Sequence, residues 1–319
     1  MYNIFRRESE NGLTSVEVLT LLYMFITSIM IFVWWPSINN PADMIIWRVG
    51  VLVFIVLANF IYHFYPCRAM IMVRTVPLLL CLIQWYPETY EFCKHFAYQD
   101  HVFASIDYNL FGCQPSLEMS TWITSTFWHE AFSCGYYSYY YMMIAVIAFY
   151  FFFRYEDLER AAFVFLLSFF FFYFIFEFLP VAGPQYYYCA LGVDAAQTAE
   201  FPEMGNYFVE HTEVLPIDVR GIFSQWVLDA QEIGERPTAA FPSSHVGIAT
   251  VLMILAIQAR NKILFFALLP LYLLLCVATV YLKAHYVIDS ISGFAVGIGF
   301  FYLTQWIYPK AKVALRLKD

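Results

Sequence analysis

Charge is scarce in this chain. Only 13% of its 319 residues are Asp, Glu, Lys or Arg, about half the share usual in a soluble globular domain, which excludes a soluble enzyme and a disordered chain alike. A basic excess is also missing: the net charge is −8, whereas a nucleic-acid binder carries a basic face. The seven cysteines contain no CxxC spacing, so neither a metal pattern nor a disulfide scaffold is legible. Against these absences stands a composition that is 61% hydrophobic and 21% aromatic. Together they leave a polytopic membrane protein, all-α because only helices satisfy their own backbone in a hydrocarbon core while being this apolar.

A spanning helix needs about 20 mostly apolar residues to cross about 30 Å of hydrocarbon. Eight segments qualify: 16–36, 44–64, 70–88, 135–153, 161–179, 243–259, 263–282 and 286–308. The third is the weakest, with Arg74 and Pro77 in its first turns. Phe165 to Phe178 is apolar around nearly its whole circumference, as a buried helix is. The first span lacks a small-residue cleavage site and reads as a retained anchor. Twelve basic residues, Arg6, Arg7, Arg68, Arg74, Arg154, Arg160, Arg260, Lys262, Lys310, Lys312, Arg316 and Lys318, fall in one set of connections, and only Lys94, Arg220, Arg236 and Lys283 in the other. By the positive-inside rule both termini are cytoplasmic, and the long segments 89–134 and 180–242 lie outside. The expected layout is a cytoplasmic N-terminus (1–15), N-terminal spans with an outer loop (16–134), a catalytic membrane core (135–308) enclosing 180–242, and a cytoplasmic tail (309–319).

Trp34, Trp35, Trp85, Tyr86, Trp306 and Tyr308 near span ends read as an interfacial aromatic belt. The tyrosines of 136–141 read as belt or packing. Arg48, inside the second span, reads as a buried pair or a snorkelling side chain. Cys93, Cys113, Cys134 and Cys189 fall on or near the outer side, where disulfides persist; a structural disulfide and free thiols are both open readings there, and the three possible connectivities are not distinguished.

The chemistry gathers in the last third. Phe241-Pro242-Ser243-Ser244-His245 and Lys283-Ala284-His285-Tyr286-Val287-Ile288-Asp289 place two histidines 40 residues apart. Between them lies a helical hairpin that turns at Arg260-Asn261-Lys262, so both imidazoles return to one membrane face. The two arms differ by about 12 Å at 1.5 Å per residue, so the seventh helix must stop a few residues before His285 or the helices must tilt. Pro242 suits the first helical position. Ser243 and Ser244 in the first turn, with free N–H groups and the helix dipole, make an anion site. His285 and Asp289, at i and i+4, share a helix face, where the carboxylate can hold the imidazole tautomer. One such imidazole is a nucleophile toward phosphorus and the other an acid for the leaving oxygen.

With these residues the chain resembles the type 2 phosphatidic acid phosphatase superfamily, whose signatures read P-S-G-H and S-R-x5-H-x3-D. FPSSHVGIA and HYVID resemble most the inositol phosphorylceramide synthase and sphingomyelin synthase branch. Pro180-Val-Ala-Gly-Pro-Gln-Tyr186 occupies the place of the first signature, and Trp128-His129-Glu130 through Tyr141 is similar to a segment preceding the core in that branch; residues 125–308 are covered. The resemblance implies a six-helix lipid phosphatase-like core, His285 as nucleophile, Asp289 as its orienting partner, His245 as general acid then base, phosphate binding by Ser243 and Ser244, no metal or other cofactor, and a site facing away from the cytoplasm. Two basic positions of the family pattern are missing: Ala278 and Thr279 stand where Ser-Arg is usual, and Gln185 follows Gly183-Pro184. Lys283, Arg236, Tyr186 and Tyr281 are candidates to replace them, and Glu177 and Glu130 to bind a hydroxyl-rich headgroup. Fewer fixed cations suit a singly charged phosphodiester better than a phosphomonoester.

The expectation is an integral-membrane enzyme that cleaves a phospholipid phosphoester through phosphohistidine and passes the phosphoryl group to ceramide or another lipid hydroxyl. Water as acceptor gives a simple phosphatase. A transporter with a His/Asp relay is the non-enzymatic alternative, but it would spread ionisable groups through several spans. Segment 180–242 is either a lid selecting the acceptor or a passive covering.

Overall fold

A computed structural model describes residues 6, 7 and 12–316. The remaining residues 1–5, 8–11 and 317–319, which carry parts of both expected tails and Lys318, lie outside the described residues. The chain is helical throughout, and the only bridges among the described residues are Arg7 with Cys67 and Val181 with Ala239. Its helices are α1 (Ser15–Val33), α2 (Pro41–Phe64), α3 (Arg68–Leu80), α4 (Leu82–Cys93), α5 (Asp100–Phe111), α6 (Pro115–Trp122), α7 (Thr126–Phe153), α8 (Leu158–Phe178), α9 (Pro184–Leu191), α10 (Ala195–Thr198), α11 (Ile222–Gly234), α12 (Ser244–Gln258), α13 (Lys262–Tyr281) and α14 (Val287–Arg316).

Seven stretches are long and apolar enough to cross a membrane, and α12 is a shorter apolar helix of 15 residues. The eight expected spans correspond to these. The third survives Arg74 and Pro77 as one stretch, Arg68–Cys93, interrupted only at Cys81 between α3 and α4. The seventh helix does stop short of His285, at Tyr281.

The chain forms two compact units. The first comprises Met1–Trp85, Ile147–Phe170 and Tyr302–Asp319. Here α1 starts with a capping box: Thr14 accepts from the Glu17 amide, and Glu17 accepts from the Thr14 amide at 2.7 Å. Glu17 is also the partner of Arg74, whose Nε and Nη2 reach its two oxygens at 2.8 and 2.6 Å. Both side chains are buried. Arg48 is likewise buried, donating to the Thr27 hydroxyl and to the Met44 carbonyl. Trp85 does not belong to an interfacial belt: it is fully buried between Tyr23 and Phe170.

The second unit comprises Tyr86–Val146 and Phe171–Phe301. Its centre is the hairpin α12–α13. Ser243 caps α12 and Asn261 caps α13, accepting from Leu264 N at 2.8 Å, while Arg260 takes the left-handed turn between them. Pro242 therefore lies ahead of the cap rather than at the first helical position. Helix α14 lies against α12 along Gly293 and Gly297, where an added Cβ would collide with the backbone of Ser243 and Gly247. Such small-residue approaches let two helices touch through their main chains. Segments 89–134 and 180–242 are not loose: Tyr90, Tyr98, Phe103, Tyr187, Phe208 and Tyr286 form one buried aromatic cluster across them. All seven cysteines are free thiols. The outer disulfide left open by the sequence is absent; Cys93 is buried with its sulfur against the Tyr90 carbonyl and the Tyr98 hydroxyl instead.

Candidate active site

Three backbone segments meet in the second unit. Segment 180–186 is laced to 238–240: Val181 bridges Ala239, and Ala240 N donates to Val181 O at 3.0 Å. It is laced to the loop before α14 by Gln185 N donating to Lys283 O at 3.0 Å. Gly183, at φ 98°, is required here, because a Cβ would strike the Ala284 carbonyl. The third link is Ser243 N to Asp289 O at 3.0 Å, which ties the head of α12 to the first turn of α14.

These links bring His245 and His285 together, ring centroids 5.7 Å apart at 67°. His285 is buried and His245 partly exposed. His245 sits between two tyrosines of α7, stacked on Tyr136 and tilted against Tyr139, each at 4.6 Å. Both tyrosines lie in the run that sequence alone reads as belt or packing; their spacing of three along a helix was the available signal.

Asp289 is also brought in, though its contact differs from expectation. Its nearest oxygen is 3.8 Å from His285 Nδ1 and accepts a hydrogen bond from Tyr286 N at 2.9 Å. The other oxygen is buried with no hydrogen-bonding neighbour. The group that holds the imidazole is the Ala240 carbonyl, 2.7 Å from Nδ1. A carbonyl only accepts, so Nδ1 carries the proton and Nε2 keeps its lone pair. The physical reason for the difference is that His285 precedes α14 rather than lying on it, so i and i+4 do not share a helix face. Burial pushes His285 down to about 4, against the opposing pull of the Ala240 carbonyl and the charge of Glu235.

The other expected residues divide. Ser243 is buried and its oxygen accepts from Val246 N; Ser244 is buried beside it at the first position of α12. Gln185 and Tyr186 are buried in the 180–186 segment, and the Gln185 side chain donates to Glu235 at 3.0 Å. Arg236 donates to the Glu235 carbonyl at 2.6 Å, and its charge reaches Tyr186 and Tyr90. Lys283 lies in the same loop as His285, two residues before it, in a left-handed conformation, and lines a cavity of about 130 Å³ with Gln185, His129, Asp218, Arg220 and Tyr281. Glu177, the other candidate for a headgroup, is fully buried on α8.

Glu130 requires a correction. Its carboxylate accepts from Phe223 N at 2.9 Å and Ser224 N at 3.2 Å, capping α11, with Gly221 leaving it room. It is thus spent on backbone rather than on a headgroup. Thr279, in the place of the usual arginine, serves the loop: its carbonyl accepts from His285 N and its hydroxyl pairs with Ser290 at 2.9 Å. Tyr281 bonds the Ile123 carbonyl and His129.

Glu235 went unrecognised in the sequence. It caps the end of α11, accepts from Gln185, and lies within electrostatic range of His285, Tyr136 and Tyr186. Burial raises it, while the charge of His285 and hydrogen bonds from Gln185 and Gln231 oppose the shift.

A family profile of the PAP2 superfamily matches residues 101–303, well over half the chain and the whole of this constellation. The chain belongs to the PAP2 superfamily. The match starts 24 residues ahead of the resemblance read from the motifs at 125, and so takes in α5. Neither the curated proteins nor the solved structures contain a match. Membership of the PAP2 superfamily and the membrane-length helices together support a membrane lipid phosphatase or phosphotransferase kind of function.

Proposed function

We propose that this PAP2 superfamily protein is a lipid phosphotransferase that moves a phosphoryl-headgroup unit from a phospholipid to the hydroxyl of ceramide or a similar lipid, in the manner of inositol phosphorylceramide synthase. The observation that carries the chemistry is the Ala240 hydrogen bond. It leaves Nε2 of His285 with a lone pair, one ring away from a second imidazole.

Nε2 attacks phosphorus and forms a P–N bond as the P–O bond to the lipid breaks. Protonated His245 gives its proton to the departing oxygen. Neutral His245 then takes the proton of the acceptor hydroxyl, whose oxygen attacks phosphorus and breaks the P–N bond. The imidazolium formed at His285 is favoured by the Ala240 carbonyl on Nδ1 and by Asp289, whose oxygen lies 3.8 Å away. Ser243, Ser244, Lys283 and the partly buried Arg236 are the groups offered to the phosphate. With Ala278 and Thr279 in place of the usual Ser-Arg, and Glu235 beside His285, the local charge favours a monoanionic diester over a dianionic monoester. Twelve basic residues on one side against four on the other favour an extracytoplasmic site.

The test uses purified protein in vesicles of phosphatidylinositol, phosphatidylcholine or phosphatidylethanolamine, and separately of phosphatidic acid, each with and without ceramide, read by mass spectrometry. Headgroup-bearing phosphoceramide is the expected product. Ceramide-independent release of phosphate from phosphatidic acid, with no transfer, would make the protein a phosphatase.

A further inference from the structure

Two carboxylates outside the histidine motifs grip the backbone on both sides of the His285–Ala240 hydrogen bond. Asp100 and Asp107 are seven residues apart on α5, two turns, and so share a face. Both are buried. Asp100 accepts from Ala182 N at 2.9 Å and Gly183 N at 2.8 Å, and from the Tyr286 hydroxyl at 3.3 Å. Asp107 accepts from Val287 N at 2.7 Å and Ile288 N at 3.0 Å.

The first amides of a helix have no partner within it. In α14 the preceding amide, of Tyr286, goes to the helix's own Asp289. The next two go to a side chain 180 residues earlier in the chain. On the other side, Asp100 holds the strip 182–183, whose neighbour Val181 receives Ala240 N, and Ala240 O receives His285 Nδ1. One aspartate thus anchors the carbonyl and the other anchors the start of the helix that follows the imidazole. Capping alone needs only one short polar side chain, for which neutral Ser, Thr or Asn serves as well as Asp; burying two carboxylates is far more expensive unless each is fully hydrogen-bonded.

We propose that Asp100 and Asp107 are positioning residues, acting through the amides of Ala182, Gly183, Val287 and Ile288 to set the His285 imidazole against the Ala240 carbonyl. Neither touches substrate. The proposal rests on His285 being the nucleophile, and the experiment separates the two claims.

Full-length wild type, His285→Ala, Asp107→Asn and Asp107→Ala are compared in the vesicles described above, with ceramide and phospholipid radiolabelled at phosphorus. Turnover and the fraction of protein carrying label are both measured. Asp107→Ala should lower kcat about 100-fold, as small misplacements of a reacting group do, with KM within about threefold of wild type. Asp107→Asn keeps one acceptor oxygen and should lose about tenfold in kcat, one unmet amide being worth about 1–3 kcal/mol. The labelled fraction at saturation should stay at the wild-type level. An active His285→Ala, or a wild type inert toward all four lipids, would remove the nucleophile and this proposal with it. An inactive His285→Ala beside Asp107 variants of wild-type kcat would overturn the positioning role alone. So would a fall in turnover matched by an equal fall in the labelled fraction, which marks misfolding; if Asp107→Ala does not fold, Asp107→Asn decides on the same criteria.

Discussion

In the unit that contains the N-terminal helices, Glu17 receives the Arg74 guanidinium on both oxygens, the Thr14 amide and the Asn59 amide, and Arg74 adds the Gly12 carbonyl and the Tyr62 ring. In the unit that contains the histidines, Asp289 keeps one oxygen without a hydrogen bond and His285 is held by Nδ1 alone. Both are buried polar clusters in a highly apolar chain. The first spends its hydrogen-bonding capacity on itself, and such clusters act as anchors. The second keeps a lone pair and a charge in reserve, which costs stability and is tolerated where chemistry uses it.

Substitutions that exchange these properties test the contrast. The largest effect is expected from His285→Ala, which should reduce turnover at least about 10⁴-fold, as loss of a nucleophile does, while leaving the thermal midpoint in detergent unchanged. A large drop in the midpoint would make His285 an anchor like Glu17. Next comes Glu17→Ala, which should destabilise the protein by about 3–5 kcal/mol, because Arg74 is left buried and uncompensated; kcat of the folded fraction should stay constant, and thermal unfolding with activity normalised to folded protein checks both. The third test is pH. With His285 as nucleophile only its neutral form attacks, and burial favours that form, so the acid limb of kcat/KM should fall as pH drops through about 4, apart from the alkaline limb set by deprotonation of His245. An acid limb at the ordinary histidine value near 6.5 would place the nucleophile in water. The smallest change is expected from Glu235→Gln, which removes a negative charge beside His285 and should raise hydrolysis of phosphatidic acid about threefold to tenfold relative to diester transfer. An unchanged ratio would remove the charge argument for a diester.

Local signals carried well. The span lengths, the turn at Arg260–Lys262 and the convergence of the two histidines follow from apolar run length and hairpin arithmetic, which depend on neighbours in sequence. What failed was whatever depends on the main chain. Asp289 was assigned to the imidazole because side-chain spacing is visible, whereas the Ala240 carbonyl is invisible in a sequence. Glu130 was misread for the same reason, its partners being the amides of Phe223 and Ser224. Asp100 and Asp107 carried a faint signal, two acids at helical spacing in an outer segment, but nothing local names a partner 180 residues away. The cysteines stay open for a different reason: compartment chemistry permits a disulfide without bringing any two sulfurs together.

The brevity of α12 has a consequence for how substrates arrive. Fifteen residues rise about 22 Å, less than the roughly 30 Å of a bilayer's oily interior. A helix so short, with its far end at one boundary, starts several ångströms beneath the opposite headgroups. His245 lies in its first turn. Under the proposed transfer, that depth would favour reactants that already lie within the leaflet over water.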